Sequence, residues 1–404
     1  MSNEAGGPKH FLFMRNYPRG GDWGGMEVLL FDLLARIDYS RCRVTLAVSP
    51  GSKIIFEQKL ADKKWPIHLL EFPSPVRVKA WKRFGDMRRF LNELKPHTVV
   101  FFQGWYLDFR LAEVMAAYFH CRGDVYFHDN LGAPPPLEKT SRKHFGILPG
   151  MGLWWYVQGF CIRMRAYFCK SDLVVSEGIK ELWKTLWGYP DDKIKVAYHG
   201  INVEKFSPSA DIRSRMREAN KLDPSVKVIV VTARFTDQKR LDRLINAFGR
   251  LAEEFKDVHL LLAGSGPLEN ELRRLADGQR SRDRIKFLGM ISNVPDYLKM
   301  SDFFVLSSDN EGLSLALMEA MAAELVCVST DCTGSREVIE DGVTGFLVEK
   351  SEESLHQGMR RAVLLGAQER SRMKKNARNL ITQKFEIDRN SKQVLTTLGV
   401  PCHP

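Results

Sequence analysis

Residues 226–266 read VKVIVVTARFTDQKRLDRLINAFGRLAEEFKDVHLLLAGSG. Val226–Thr232 is a short β-branched run, suited to a strand buried on both faces. Leu241, Leu244, Ile245, Phe248 and Leu251 then recur at helical spacing, which predicts a helix over 241–255. His259–Ala263 is the next strand, closed by Gly264-Ser265-Gly266. Pro267 is placed as the first residue of a helix running to Ala276. Downstream, strands are expected at 285–288, 303–306, 326–329 and 346–348, with helices at 294–300 and 315–323. Strands alternating with helices through short connections indicate an α/β fold with a parallel sheet covered on both faces.

Working outward, the first half repeats the theme. Strands are expected at Phe11–Arg15, Val44–Val48, Thr98–Phe102, Asp124–Phe127, Leu173–Ser176 and Val196–Tyr198. Helices are expected at 26–37, after a Gly-rich loop over 19–25, and at 178–187. The cluster His199-Gly200-Ile201-Asn202 with Pro208 marks the crossing between two domains, 1–205 and 206–387. The helical C-terminal segment from about Ser351 is expected to turn back toward the first domain, with a final helix at about 388–404 packed on it. Gly399–Pro404 are read as a loose end.

Composition limits the classes. At 404 residues and 44% hydrophobic, the chain can bury a sizeable core in two or three domains. No apolar run reaches the eighteen or so residues of a membrane span. Phe11–Met14 is too short for a signal-peptide core, so a cytoplasmic protein is expected. Seven cysteines without a CxxC pair argue against a disulfide framework and a structural zinc site. The net charge of +11 is uneven: residues 1–200 hold 29 basic against 20 acidic residues, and residues 201–404 hold 31 against 29. All eight tryptophans also lie in the first half. The segment 132–165 adds Pro134-Pro135-Pro136, the basic Lys139, Arg142 and Lys143, and the aromatic Trp154-Trp155-Tyr156. It suits an anionic membrane surface, and equally a helix buried between domains. A nucleic-acid partner would need a basic stripe and a reading module, and neither is evident.

Chemistry is sought just after each strand, because open parallel sheets bind ligands beyond their carboxyl ends. After Thr232 come Arg234 and Lys239, a planar fork and a point charge suited to phosphate oxygens. After Leu306 comes Ser307-Ser308-Asp309-Asn310-Glu311-Gly312-Leu313-Ser314, where Ser314 is placed to cap the next helix. Free amides at that helix start make a phosphate site, and Gly312 permits close backbone approach. Glu311 and Glu319 are two carboxylates able to accept from sugar hydroxyls.

These residues carry a resemblance. Glu311-Gly312-Leu313-Ser314-Leu315-Ala316-Leu317-Met318-Glu319 resembles the E-x7-E signature of retaining GT-B glycosyltransferases of family 4. Gly24-Gly25-Met26-Glu27 resembles the family's GGxE loop, and Gly264-Ser265-Gly266-Pro267 its G-x-G-P loop. Arg234 and Lys239 match its diphosphate-gripping pair, and Asp341-Gly342-Val343-Thr344-Gly345 its D-G-x-x-G turn. His199 and Asn202 stand where the family more usually has Asn and Asp.

The resemblance implies two Rossmann-like domains facing across a cleft, the first for the acceptor and the second for a UDP- or GDP-linked sugar. It implies that Glu319 holds the ribose and Glu311 the donor-sugar hydroxyls. Arg234, Lys239 and the amides of Gly312, Leu313 and Ser314 would neutralise the departing diphosphate. Gly24, Gly25, Gly264 and Met290 complete the implied donor set. His128 would face the sugar ring, and Asp129 would orient its imidazole or help position the acceptor. No DxD motif occurs, and no metal or other cofactor is expected. Retention of configuration is implied by the family alone. The expected partners are a nucleotide-sugar donor, a glycan or lipid-linked acceptor of cell-envelope polysaccharide or glycolipid synthesis, an anionic membrane in peripheral contact, and no nucleic acid. A nucleotide-sugar epimerase, a phosphorylase and a non-catalytic nucleotide-sugar-binding protein of the same fold remain as alternatives.

Overall fold

The structure is a computed structural model that describes residues 7–15, 24–72, 79–103, 111–129 and 151–403, without the side chains of 151–158. The Gly-rich stretch before Gly24, Pro134-Pro135-Pro136 with the basic residues after it, and the aromatic side chains Trp154, Trp155 and Tyr156 lie outside the described residues. The chain divides into two units, Met1–His199 with Asp388–Pro404, and Gly200–Ile387.

The first unit is built on a parallel sheet of β1 (Lys9–Arg15), β2 (Cys42–Val48), β3 (Ile67–Glu71), β4 (Thr98–Gln103), β5 (Val125–Asp129), β6 (Ser171–Val174) and β7 (Ile194–Val196), in the order β3-β2-β1-β4-β5-β6-β7. Its helices are α1 (Gly25–Leu34), α2 (Lys53–Leu60), α3 (Ala80–Leu94), α4 (Leu111–His120), α5 (Met151–Tyr167) and α6 (Glu177–Trp187). The strands bury both faces by alternation. Phe11 and Phe13 pack with Leu30 and Leu33 of α1, while Leu12 and Met14 pack with Met87 and Leu91 of α3 and Val114 of α4. The β3 strand and α2, α3 and α4 go beyond the sequence reading. The last strand ends at Val196, two residues before the expected Tyr198.

The second unit has β8 (Lys227–Thr232), β9 (Val258–Ala263), β10 (Ile285–Gly289), β11 (Phe303–Leu306), β12 (Val326–Thr330) and β13 (Phe346–Val348), all parallel, in the order β10-β9-β8-β11-β12-β13. Helices α7 (Ala210–Ala219), α8 (Leu241–Glu254), α9 (Glu269–Asp277), α10 (Val294–Met300), α11 (Leu315–Ala322), α12 (Glu352–Leu364) and α13 (Ala367–Lys384) surround it. Leu244, Ile245, Phe248 and Leu251 of α8 are fully buried against Ile229, Leu260, Phe303 and Val326. Pro267 does not open α9. It lies in a turn in which Leu268 N–H donates to the Phe235 carbonyl at 3.1 Å, and the helix starts at Glu269.

One domain boundary moves, and the split expected at about 387/388 falls there. Residues 200–205 belong to the second unit, because Ile201 bridges Glu386 and a Cβ at Gly200 would meet the Ile387 Cα at 2.4 Å. The helices from Ser351 to Lys384 stay with that unit, and only Asp388 onward joins the first. There α14 (Ile387–Leu398) buries Val394, Leu395 and Leu398. The tail expected to be loose is fixed: Val400 is buried, Cys402 bridges Ile37, and His403 N–H donates to the Arg36 carbonyl at 3.1 Å. No helix among the described residues is long and apolar enough to cross a membrane.

Candidate active site

In the second unit the connections run one way from β8 and the other way from β11, which are neighbours. That switch point leaves a crevice beyond the carboxyl ends of the two strands. Arg234 and Lys239 follow β8, and Ser307–Ser314 follow β11. Gly264 follows β9, and Met290, which is 78% exposed, follows β10. The structure thus brings the expected donor residues of this unit to one edge of one sheet.

The rim is laced by hydrogen bonds. Asp309 N–H donates to the Gln238 carbonyl at 2.9 Å, Ser307 Oγ to the Lys239 carbonyl at 2.7 Å, and Gln238 Nε2 to the Asn310 carbonyl at 2.6 Å. Phe235 is buried, and its backbone is pressed against Gly266. This anchors the turn from which the exposed Arg234 projects. Gly264 has φ +138, and a Cβ there would stand 1.9 Å from the Ala233 carbonyl oxygen. Only glycine fits that position.

Lys239 Nζ lies 2.5 Å from Glu311 Oε1, and Ser308 Oγ donates to the same oxygen at 2.6 Å. Ser314 caps α11 by accepting from Leu317 N–H at 3.3 Å. The first-turn amides of a helix have no acceptor within the helix; Ser314 takes up that of Leu317, and the positive end of the α11 dipole lies at this loop. Glu319 sits on α11, half-buried, one turn in. A second loop supports the first from below. Thr330 Oγ1 donates to the Ser308 carbonyl at 2.6 Å, Cys332 Sγ to the same carbonyl at 3.1 Å, and Gly334 N–H to the Glu311 carbonyl at 3.0 Å. Burial pushes the Cys332 thiol up to about 12, so it stays protonated as a donor. The sequence reading missed this loop, whose hydroxyls carry no motif of their own.

The first unit holds a second set of expected residues. His128, at the end of β5, is fully buried and stacks on Phe102 with ring centroids 5.6 Å apart. Neither ring nitrogen has a hydrogen bond to a described residue. Burial, aided by His199, lowers its pKa to about 3, so the imidazole is neutral near pH 7. Asp129 does not orient it. Successive strand residues point to opposite faces, and Asp129 turns to Arg165 of α5, whose Nη2 donates to its Oδ2 at 2.7 Å. Arg165 also bonds Asp172 of β6 and lies over the Phe127 ring. Burial, together with Asp172, holds the Asp129 carboxyl well above the usual range, with Arg165 pulling against it.

The Gly24 turn is held by Glu27, which accepts from Gly24 N–H at 2.9 Å and from Arg15 Nε at 2.7 Å. Gly24 stands at the N-cap of α1 and Gly25 opens the helix, with the Glu27 carboxylate reaching back to the N-cap amide. Asn202 accepts from Lys205 N–H at 3.1 Å, capping the short turn after the crossing as an aspartate would. His199 bonds Asp32 of α1 at 3.1 Å. Among the described residues no group of three His, Cys, Asp or Glu side chains is arranged to hold a metal ion.

Two Rossmann-like units, one with cations, carboxylates and a capped helix at its switch point, define a GT-B protein. The family model for glycosyl transferases group 1 matches residues 212–380, and that for glycosyltransferase family 4 matches residues 23–205. The chain belongs to this group 1/family 4 glycosyltransferase family. It is 34% identical over 160 residues to N-acetyl-alpha-D-glucosaminyl L-malate synthase of Bacillus anthracis, covering 40% of this chain and 41% of the relative. It is 32% identical over 197 residues to the amylovoran biosynthesis glycosyltransferase AmsK of Erwinia amylovora, covering 46% of each. The chain thus spans less than half the length of these two curated relatives. The structure of Anabaena Alr3699/HepE, crystallised with UDP and glucose, superimposes with a TM-score of 0.75 over 97% of this chain and 99% of that one, at 19% identity. That likeness is one of fold.

Proposed function

We propose that the chain transfers a sugar from a nucleoside-diphosphate donor to a glycan or lipid-linked acceptor in cell-envelope polysaccharide synthesis. The observation that carries this is the convergence of Arg234, Lys239, Glu311 and the start of α11 at the switch point of β8 and β11. The diphosphate gains charge as it leaves, and two cations with a helix N-terminus oppose that charge. No metal takes part in this reading. Glu311 serves the sugar hydroxyls and Glu319 the ribose. His128, neutral and without a partner among the described residues, serves as a hydrogen-bonding group of the first unit. Family membership, the AmsK relationship and the UDP and glucose bound to HepE support the donor class and the pathway. Retention follows the family pattern, with the departing phosphate oxygen taking the acceptor proton.

The membrane contact gains its own observation. Trp81, Phe119, Phe160 and Tyr167 are each more than 60% exposed on α3, α4 and α5, and Lys82, Arg88 and Arg89 of α3 and Arg163 of α5 are exposed as well. Such a mixture favours an anionic headgroup layer. The test supplies membrane extract with a panel of UDP- and GDP-sugars and follows the label by mass spectrometry. Transfer by the wild type, lost in Glu311→Gln, is the expected result. Turnover without an acceptor product would replace this reading with the epimerase alternative, no turnover at all with the binding-protein alternative, and transfer equal in both chains would remove Glu311 from the site.

A further inference from the structure

Glu311 has two carboxylate oxygens, and the protein uses one. Lys239 and Ser308 both reach Oε1, and no described residue donates to Oε2. Ser308 is fully buried, and its hydroxyl makes one hydrogen bond among the described residues, the 2.6 Å bond to Glu311. Its backbone is fixed independently, because Thr330 Oγ1 and Cys332 Sγ both hold its carbonyl. The hydroxyl therefore stands on a rigid base and sets the rotation of the carboxylate.

We propose that Ser308 is a positioning residue that aims Glu311 Oε2 at the hydroxyls of the donor sugar. Lys239 is less suited to this task. In the donor-site reading its ammonium is drawn to the diphosphate, which loosens its hold on Oε1 when the donor arrives. Ser308 carries no charge for the phosphates to attract and keeps its bond throughout. A carboxylate held by one oxygen presents the other without paying rotational entropy on binding. The inference rests on the donor-site reading and adds a residue that touches no ligand.

The test is calorimetric titration of the full chain and Ser308→Ala with UDP and GDP, and with the UDP- or GDP-hexose that the wild type binds tightest. The free diphosphate lacks the sugar and reports on the phosphate grip alone. Ser308→Ala is expected to bind the diphosphate within about twofold of wild type. It is expected to lose about tenfold for the nucleotide sugar, the size of a hydrogen bond to a charged group. Ser308→Cys keeps the volume with a weak donor and is expected to show the same selective loss, which covers an alanine variant that fails to fold. Equal losses for both ligands, or no loss for either, would overturn the proposal. A wild type that binds no nucleotide would remove the donor-site reading and this inference with it.

Discussion

Two carboxylate–cation pairs in this molecule use the same chemistry for opposite ends. Arg165 and Asp129 meet in the first unit with side chains 10% and 0% exposed, and Asp172 shares the same guanidinium. Lys239 and Glu311 meet in the second with side chains 22% and 10% exposed, at the rim of a crevice. The first pair has left water and has stacked aromatic neighbours in place of solvent. Its members are committed to each other. The second pair keeps access to water, and in the proposed function it exchanges one partner for a ligand. On the proposed function, where a charge pair sits, more than its composition, decides whether it holds the fold or serves a substrate.

The largest effect should come from breaking the interior pair. Arg165→Met leaves two buried carboxylates without their cation and is expected to cost about 3–5 kcal/mol of stability. Urea denaturation measures it, and a loss under 1 kcal/mol would erase the contrast. Lys239→Ala should do the reverse. Stability changes by less than about 1 kcal/mol, as for a rim pair, while kcat for transfer falls about 100-fold through lost leaving-group stabilisation. A stability loss matching that of Arg165→Met would show that both pairs are structural. Gly334→Ala sharpens the comparison from below the rim. A Cβ there would stand 2.2 Å from the Gly312 carbonyl oxygen, so the loop must shift. About 1–3 kcal/mol of overpacking cost is expected, with weaker nucleotide-sugar binding. Unchanged binding would mean that the lower loop does not position the upper one.

The smallest effect is a titration in the first unit. Below about pH 6.5 the unfolded chain protonates His128, whereas the folded chain holds that pKa at about 3. Stability is therefore whole above pH 6.5 and falls as the pH drops toward 3. His128→Asn removes this titration. The stability gap between the two chains should shift in favour of the variant by about 1 kcal/mol from pH 6.5 to 5.5. A gap independent of pH would place the imidazole in contact with solvent.

The sheets were readable where strands were continuous and buried. Lys227–Thr232 and Val258–Ala263 lie centrally, and their sequences leave little choice. Ile67–Glu71 is an edge strand with exposed His68 and Glu71, and its pattern is too weak to stand out. Met87 and Leu91 of α3 do lie four apart, a signal that was available. At the candidate site, residue types and spacing picked out Arg234, Lys239, Glu311 and Glu319, because they follow the central strands β8 and β11, whose carboxyl ends are where open parallel sheets bind ligands. Pairing did not follow from spacing. Asp129 and Arg165 are 36 residues apart, and only the folded sheet shows that Asp129 faces away from His128. Ser308 stands three residues before Glu311, but the direction of its hydroxyl belongs to the loop.

The central claim is that the rim of the second unit grips a nucleoside diphosphate. Calorimetric titration of UDP and GDP into the full chain, beside Arg234→Ala and Glu319→Ala, tests it most directly. One diphosphate should bind selectively, and each variant should lose about tenfold or more in affinity. A folded wild type that binds neither, or variants that bind as well as wild type, would contradict the account.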